Sequence, residues 1–564
     1  MTGAEILLDR FDALIDTPEA VERLRQFVLD LAVRGKLVAQ DPADEPAEAL
    51  LRRIAEKKRQ RYEAGEIRKP KKLKPIREAE RPFEIPAGWA WARFGQVAEI
   101  ASNLEDPTLS PDLPHVAPNH IEKDTGRLLP YGTIGEDGVT SNKHRFYPGQ
   151  ILYSKIRPNL NKAVTVDFEG LCSADMYPLE PYVDTAYLHR FILSASFVRQ
   201  VVSDDNRLAM PKVNQTQLQS VAVAVPPLSE QRRIVARVDE LMALCDRLAD
   251  GLARRDALRQ RWAASTVRHV TEDAPIAGAP AWSFAEDHLD TLLADPEAVP
   301  LVRRMVLDLA VRGRLTEQDP ADEPAEALLQ RIAEEKRRRH EAGEIRKPKK
   351  SKAVSEAERL FRLPDGWTWT RLSTICTYIQ RGRQPKYVDS SDVPVISQKC
   401  VQWDRFAFER ARFIDESTLD KYRDERFLQD SDLLWNSTGL GTLGRVGIFP
   451  GEEVPYELVV ADSHVTVIRP TINDDALPRY LLAWFSSPSV QDVIESESSG
   501  STKQAELATG TVRNYPVPLP PVEEQRRIVA RVDELVALCD RLADGLGESR
   551  TATERLLANA LVSV

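Results

Sequence analysis

Two stretches of this chain repeat almost letter for letter, and no other feature restricts its architecture as strongly. Residues 31–72 read LAVRGKLVAQDPADEPAEALLRRIAEKKRQRYEAGEIRKPKK and residues 309–350 read LAVRGRLTEQDPADEPAEALLQRIAEEKRRRHEAGEIRKPKK. Of 42 aligned positions 35 are identical, at an offset of 278. A second block, QRRIVARVDELMALCDRLADG at 231–251, returns at 525–545 with 20 of 21 positions identical, now at an offset of 294. The intervening segments, roughly 90–227 and 368–521, look unlike each other, and the offsets make the second about 16 residues longer. The order is shared, variable, shared, then the same again. Near-identical blocks imply one job done twice in the same geometry, and unlike inserts at equivalent places imply two different things recognised.

The shared blocks carry helical signals. Thr17-Pro18 offers an N-cap with proline at N1, Gly35 closes the pattern, and Leu24, Phe27, Val28, Leu31 and Ala32 fall on one face. Pro300 in the copy predicts a later helix start there, and Pro46 opens a second helix with Leu50, Leu51 and Ile54 inward. In the later block Ile234, Val238, Leu241, Cys245, Leu248 and Leu252 step by 4, 3, 4, 3, 4, and Ile528, Val532, Leu535, Cys539, Leu542 and Leu546 repeat that seam. A 3.5-residue period suits either a coiled coil or an amphipathic core helix. Two matching seams favour a coiled-coil pair that spaces the variable segments. A helix of about 30 residues spans roughly 45 Å, more than one turn of B-DNA at roughly 34 Å. The variable segments mix short β-rich runs (QILYSKI, KAVTVDF, DLLWNST, SHVTVIR) with helical ones at 186–202 and 476–487, which predicts two α+β globules.

Composition narrows the class. No uncharged apolar run approaches membrane-spanning length. Five cysteines without a CxxC pair suggest neither a disulfide framework nor a zinc knuckle and fit the cytoplasm. The formal charge of −10 runs against the basic footprint of nucleic-acid binding, so local charge matters more than the total. Residues 52–77 hold 12 Lys/Arg against 3 Glu, and 331–352 hold 10 against 4. Phosphate contact is one reading of these runs, a solvated helix face and linker the other. GLGTLG at 439–444 is a formal GxGxxG, but Gly447 and Pro450 break any helix after it, so it is no dinucleotide site. Asp462, Ser463 and His464 are adjacent on a strand and cannot form a triad. No P-loop, HExxH or amino-methyltransferase tetrapeptide occurs.

What remains is hydrogen-bonding side chains mixed with basic ones in loop-like places. Candidate DNA contacts are Lys155, Arg157, Asn159, Asn161 and Lys162, then Arg207, Lys212 and Asn214. In the second insert they are Arg381, Arg383, Gln384, Lys386, Gln398, Lys399, Asn436, Ser437, Thr438, Arg445, His464 and Lys503. Arg and Lys suit guanine edges and phosphates, Asn and Gln suit adenine. An ordinary turn or surface role stands beside each of them. A fused nuclease or methyltransferase would need a further catalytic block, for which the repeats leave little room. A coiled-coil scaffold that binds only proteins predicts no sequence-dependent DNA binding.

LAVRGKL and LAVRGRL, GWAWARF and GWTWTRL, PPLSEQRRIVARVDEL and PPVEEQRRIVARVDEL, with YSKIRPNLNKA and WNSTGLGTLGR inside the inserts, carry a resemblance over essentially the whole chain. It resembles the specificity subunit of Type I restriction-modification systems. The resemblance implies an α+β chain of two globular target-recognition domains joined by long helices in an antiparallel coiled coil, with a pseudo-two-fold repeat. Each domain would read half of a split, asymmetric double-stranded DNA site. Two modification (methyltransferase) subunits would dock on the shared helices and restriction (helicase/endonuclease) subunits would join them. S-adenosylmethionine, ATP and magnesium would belong to those partners, with no cofactor, metal or catalytic residue in this chain. On this reading residues 1–85 are a helical segment with basic linker, 86–227 the first recognition domain, 228–360 the central shared region, 361–521 the second recognition domain and 522–564 the closing helix.

Overall fold

In the computed structural model the described residues are 10–67, 69, 72–202, 212–272, 285–293, 295–403, 405–439, 441–472, 475–494 and 506–562. They divide into two units, 1–254 with 552–564, and 255–551.

The first unit opens on α1 (Pro18–Val33) and α2 (Ala47–Glu63). Thr17 caps α1 by accepting from the Ala20 amide at 3.2 Å, and Gly35, at φ +71°, ends it. The buried face is rotated from the one read in the sequence. Val21, Val28, Leu29, Ala32 and Val33 are buried, whereas Leu24, Phe27 and Leu31 are only half-buried. The reason is that α1 meets two cores. Val21 joins Leu14, Cys245, Leu252 and Leu557, while Val28 to Val33 join α2 and the globule. Phe27 and Leu31 instead line an open groove of about 840 Å³.

The first globule is built on three small sheets. Strand β1 (Ala90–Arg93) pairs antiparallel with β10 (Ala222–Val225), so the insert leaves and rejoins the shared helices at one place. One four-stranded sheet runs β2 (Ala98–Ile100), β9 (Met176–Pro181), β6 (Ile151–Ser154), β7 (Ala163–Thr165), all antiparallel. The other runs β3 (Leu104–Glu105), β5 (Lys143–Phe146), β8 (Gly170–Cys172), β4 (His115–Val116), with β4 and β8 parallel. Helices α3 (Thr185–Leu193) and α4 (Ala195–Val201) cover the first sheet, split at Ser194, which caps the second of them. Helix α5 (Leu228–Glu272) follows, 45 residues long.

The second unit repeats the plan with α6 (Val299–Val311) and α7 (Ala325–Glu341). Helix α6 starts three residues after the position matching Pro18, as Pro300 predicts. Strand β11 (Thr368–Arg371) pairs with β20 (Pro516–Leu519) as β1 pairs with β10. The sheet β12 (Cys376–Arg381), β19 (Val465–Pro470), β16 (Leu433–Asn436), β17 (Val446–Ile448) repeats the order of its counterpart, under α8 (Ala476–Ser486). The remaining sheet does not repeat. Strands β14 (Pro394–Ile396) and β18 (Val460–Ala461) form the parallel pair, but β15 (Arg412–Ile414), joined by β13 (Tyr387–Val388), lies beside β14. In the first globule β5 lies beside β8 instead. Here the inserts differ in topology as well as in sequence. Helix α9 (Val522–Val562) closes the chain.

Both seams are helix–helix contacts, with more than one partner. Ile234 and Val238 are buried against α1, α2 and the first globule, with Leu241 at the edge of that core. Cys245 and Leu252, with Leu248 beside them, cluster with the start of α1 and with Leu557 of α9. In the second unit Ile528, Leu535 and Cys539 cluster with Val302, Met305 and Leu309 of α6 and with Ala263 and Val270 of α5. Val532 and Leu542 pack at the edge of that cluster, and Leu546 is half-buried. The earlier part of α5 thus clusters with the end of α9 and the later part of α5 with its earlier turns, the order of an antiparallel pair. No helix among the described residues is long and apolar enough to cross a membrane.

Candidate nucleic-acid interface

The same set of polar contacts braces the base of each globule and holds it to its shared helices. The Trp89 indole donates to Glu230 at 3.0 Å and to Gln40 at 3.2 Å; Trp367 donates to Glu524 at 2.8 Å and to Gln318 at 3.2 Å. Arg93 donates to the Ser220 carbonyl at 2.6 Å, and Arg371 to that of Asn514 at 2.7 Å. Tyr187 donates to the Ala224 carbonyl at 2.7 Å, Tyr480 to that of Pro518 at 2.5 Å. Arg233 pairs with Asp44 at 2.7 Å and Arg527 with Asp322 at 2.5 Å. Lys58 reaches the Gly95 carbonyl at 2.7 Å and Lys336 that of Ser373 at 2.8 Å. Buried polar groups need partners at fixed distances, which accounts for the near-identity of blocks whose inserts diverge. Burial pushes Lys58 and Lys336 down to about 8 and the Glu524 carboxyl up to about 7; it raises Glu230 as well.

These lysines and acids were not singled out in the sequence. Their signal was the identity between copies at polar positions. The basic runs are correspondingly less free than they read. Lys58 is buried, Arg53 pairs with Glu45, Arg59 with Glu56 and Arg61 with Glu66. Arg52 and Lys57 are exposed.

In the first globule the chain leaves β6 into a loop whose two ends are fastened. Lys155 donates to the Ala174 carbonyl at 2.6 Å, Lys162 to that of Pro118 at 2.7 Å, and buried Asn161 to that of Leu193 at 3.0 Å. Lys212 bridges the loop at Ile156 and reaches Asp175 at 3.1 Å. Asn214 caps the helix Gln215–Ser220 by accepting from the Gln217 amide at 2.9 Å. Arg157 and Asn159 are exposed between the fastenings. Arg207 lies outside the described residues.

The corresponding place in the second globule gathers more of the set. Asn436 is buried and donates to the Gln398 carbonyl at 3.1 Å, and buried Ser437 bonds Thr466. Thr438 meets His464 Nδ1 at 2.6 Å. The GLGTLG turn follows, with Gly439, Gly441 and Gly444 at positive φ and strand β17 rather than a helix after it. Gln398 accepts from Thr442 at 3.2 Å, and Arg445 donates to Gln402 at 2.8 Å and to the Gly441 carbonyl at 2.7 Å. Lys399 is exposed beside it. Asp462, Ser463 and His464 lie on the turn before β19 rather than on a strand; Asp462 accepts from Tyr387 and from the His464 amide, not its ring, and Ser463 donates to Gln384, so they form no triad. Arg381 pairs with Glu506, Arg383 donates to the Lys421 carbonyl at 2.7 Å, and Lys386 pairs with Asp415 at 2.6 Å. Lys503 lies outside the described residues.

Each globule thus presents polar loops at the equivalent place on a repeated helical mount. The family profile of the Type I restriction modification DNA specificity domain matches residues 86–253 and again 364–548. The chain belongs to this family and carries two of its DNA-specificity domains. It is 29% identical over 568 residues to the Type I restriction enzyme EcoEI specificity subunit of Escherichia coli, covering 96% of this chain and 93% of that one. It is 41% identical over 261 residues to the EcoDI specificity subunit of Escherichia coli, covering 44% of this chain and 54% of that one. A solved chain described under complex assembly and conformational transition of the type I R-M system shares the fold. Its TM-score is 0.51 at 19% identity, over 85% of this chain and 99% of that one.

Proposed function

We propose that this chain is the sequence-reading, non-catalytic subunit of a cytoplasmic Type I restriction-modification complex. Each globule reads one half of a bipartite, asymmetric site in double-stranded DNA. The long helices hold the halves at a fixed spacing. Two methyltransferase subunits dock on the repeated helical surfaces, and restriction subunits join that assembly. S-adenosylmethionine, ATP and magnesium act in those partners.

One observation carries this reading: an identical mount presents two dissimilar loops. The identity extends to exposed ion pairs such as Arg53–Glu45 and Arg331–Glu323, which packing does not require. Identical exposed surfaces fit two copies of one partner, whereas dissimilar loops fit two unlike half-sites. The acidic total leaves room for this, since net charge says little about one face.

The test is methylation mapping by long-read sequencing of DNA from cells expressing this chain with the methyltransferase gene beside it, against the methyltransferase alone. A split methylated motif that needs this chain is the expected result. Removing two turns from a long helix should then change the spacer or abolish modification. A stable complex that methylates no new motif would replace this reading with a protein-binding scaffold.

A further inference from the structure

We infer that Arg157 and Asn159 are the base-reading tip of the first globule, and that Lys155, Asn161 and Lys162, though of the same chemistry, are its frame. The inference rests on the DNA-reading function proposed above.

The frame is set by where the side chains end. Lys155, Asn161 and Lys162 each terminate on a backbone carbonyl of another segment. The main chain is held as well: Ser154 donates to the Lys162 carbonyl at 2.9 Å, and Val213 to that of Lys155 at 2.8 Å. A group held this way is unavailable to a base edge unless it abandons a bond that the loop needs.

Arg157 and Asn159 are placed differently. Both are exposed, and among the described residues neither side chain takes a hydrogen bond or an ion pair. Arg157 also adopts φ +48°, left-handed backbone that is unfavourable for any residue with a Cβ. The equivalent turn of the second globule meets the same need with Gly439, Gly441 and Gly444. Among the described residues this chain otherwise places, besides glycine, only the short polar side chains of Asp124, Asn161 and Ser431 in that left-handed region. At 157 it keeps a long side chain on strained backbone, and such strain concentrates at ligand contacts.

The same contrast bears on what Arg157 touches. A phosphate contact can be made by a flexible cation on relaxed backbone, as Lys does. Fixed backbone below a planar fork suits the paired acceptors of guanine, and the Asn159 amide suits the donor–acceptor pair of adenine. Pro158 between them is buried and opens a short 3-10 turn that fixes their separation.

The test uses the full chain with its methyltransferase, in cells for motif mapping and as a purified complex for binding. Arg157→Ala and Arg157→Lys should each loosen one base position in one half of the methylated motif. Affinity for the intact site should fall roughly tenfold or more, with the other half-motif and the melting temperature unchanged. Asn159→Ala should loosen a second position in the same half. A wild-type motif from Arg157→Ala overturns the inference, and so does restoration by Arg157→Lys, which would place the residue on a phosphate. If the wild-type complex itself yields no split motif, the function proposed above has failed, an outcome distinct from either.

Discussion

The Trp367 indole donates to the Glu524 carboxylate at 2.8 Å in a site where Glu524 is buried beside Gln318 and Arg527. Burial raises this carboxyl from 4.5 to about 7, against the opposing effect of the Trp367 and Gln318 hydrogen bonds. A carboxyl raised in the folded state binds its proton more tightly there than in the unfolded chain. Its contribution is therefore full below 4.5 and is lost as pH climbs through about 7. The loss is at most about 3 kcal/mol, from about 1.4 kcal/mol per unit. Glu524→Gln should flatten the stability of the second globule across that window. Urea unfolding at pH 5 and pH 8 measures it, and a variant that keeps the wild-type difference excludes Glu524 as its source.

Arg371 closes the junction where the second insert joins the shared region. Its guanidinium donates to the carbonyls of Lys352, Ala353 and Asn514 and pairs with Glu358 at 2.7 Å. Arg371→Ala removes a buried guanidinium from those three carbonyls and from Glu358 and should cost about 1–3 kcal/mol. Arg371→Lys should recover little of this, because an ammonium cannot reproduce a planar fork that meets three carbonyls. Denaturant midpoints report both variants. A loss under about 0.5 kcal/mol for Ala would mean that water replaces the fork.

Lys58 lies within the basic run yet points inward, to the Gly95 carbonyl at 2.7 Å and over the Tyr182 ring at 4.5 Å. A lysine that displaces no counterion from DNA leaves the salt dependence of binding alone. The slope of log affinity against log salt for the complex with Lys58→Met should match the wild type. A slope shallower by about 1 would put this lysine on a phosphate after all.

The repeat, the helix limits and the inner strands could be read from the sequence because each depends on local signals. Thr17-Pro18 and Gly35 bound α1, Pro300 delays α6, and short β-rich runs between turn residues placed β6 and β16. The placement of β5 beside β8 but β15 beside β14 was not legible, since register across a parallel pair depends on distant partners. The face of α1 was misread because Leu29 and Val33 meet a second core that a single helical period does not reveal. Within the candidate loops, residue type alone could not separate Asn161 and Asn436, both buried on backbone carbonyls, from exposed Asn159. That distinction needs the three-dimensional ends of the side chains.

The two seams also make a graded prediction along α9. Ile528 is fully buried at the start of the seam, against α6 and the later part of α5, whereas Leu546 is half-buried and belongs to no core cluster among the described residues. Large-to-small substitution costs the transfer of the lost carbons plus the cavity left behind, and both shrink with exposure. Ile528→Ala should therefore destabilise the second unit by about 2–4 kcal/mol, and Leu546→Ala by less than about 1 kcal/mol. Cys539 is buried midway with its thiol raised by burial, so Cys539→Ser should cost more than its small change in volume suggests, by placing a hydroxyl among apolar side chains. Thermal unfolding of the three variants gives the ranking. Equal losses at Ile528 and Leu546 would mean that α9 is packed alike along its whole seam, as in a uniform two-stranded coil, rather than anchored at its start by α6.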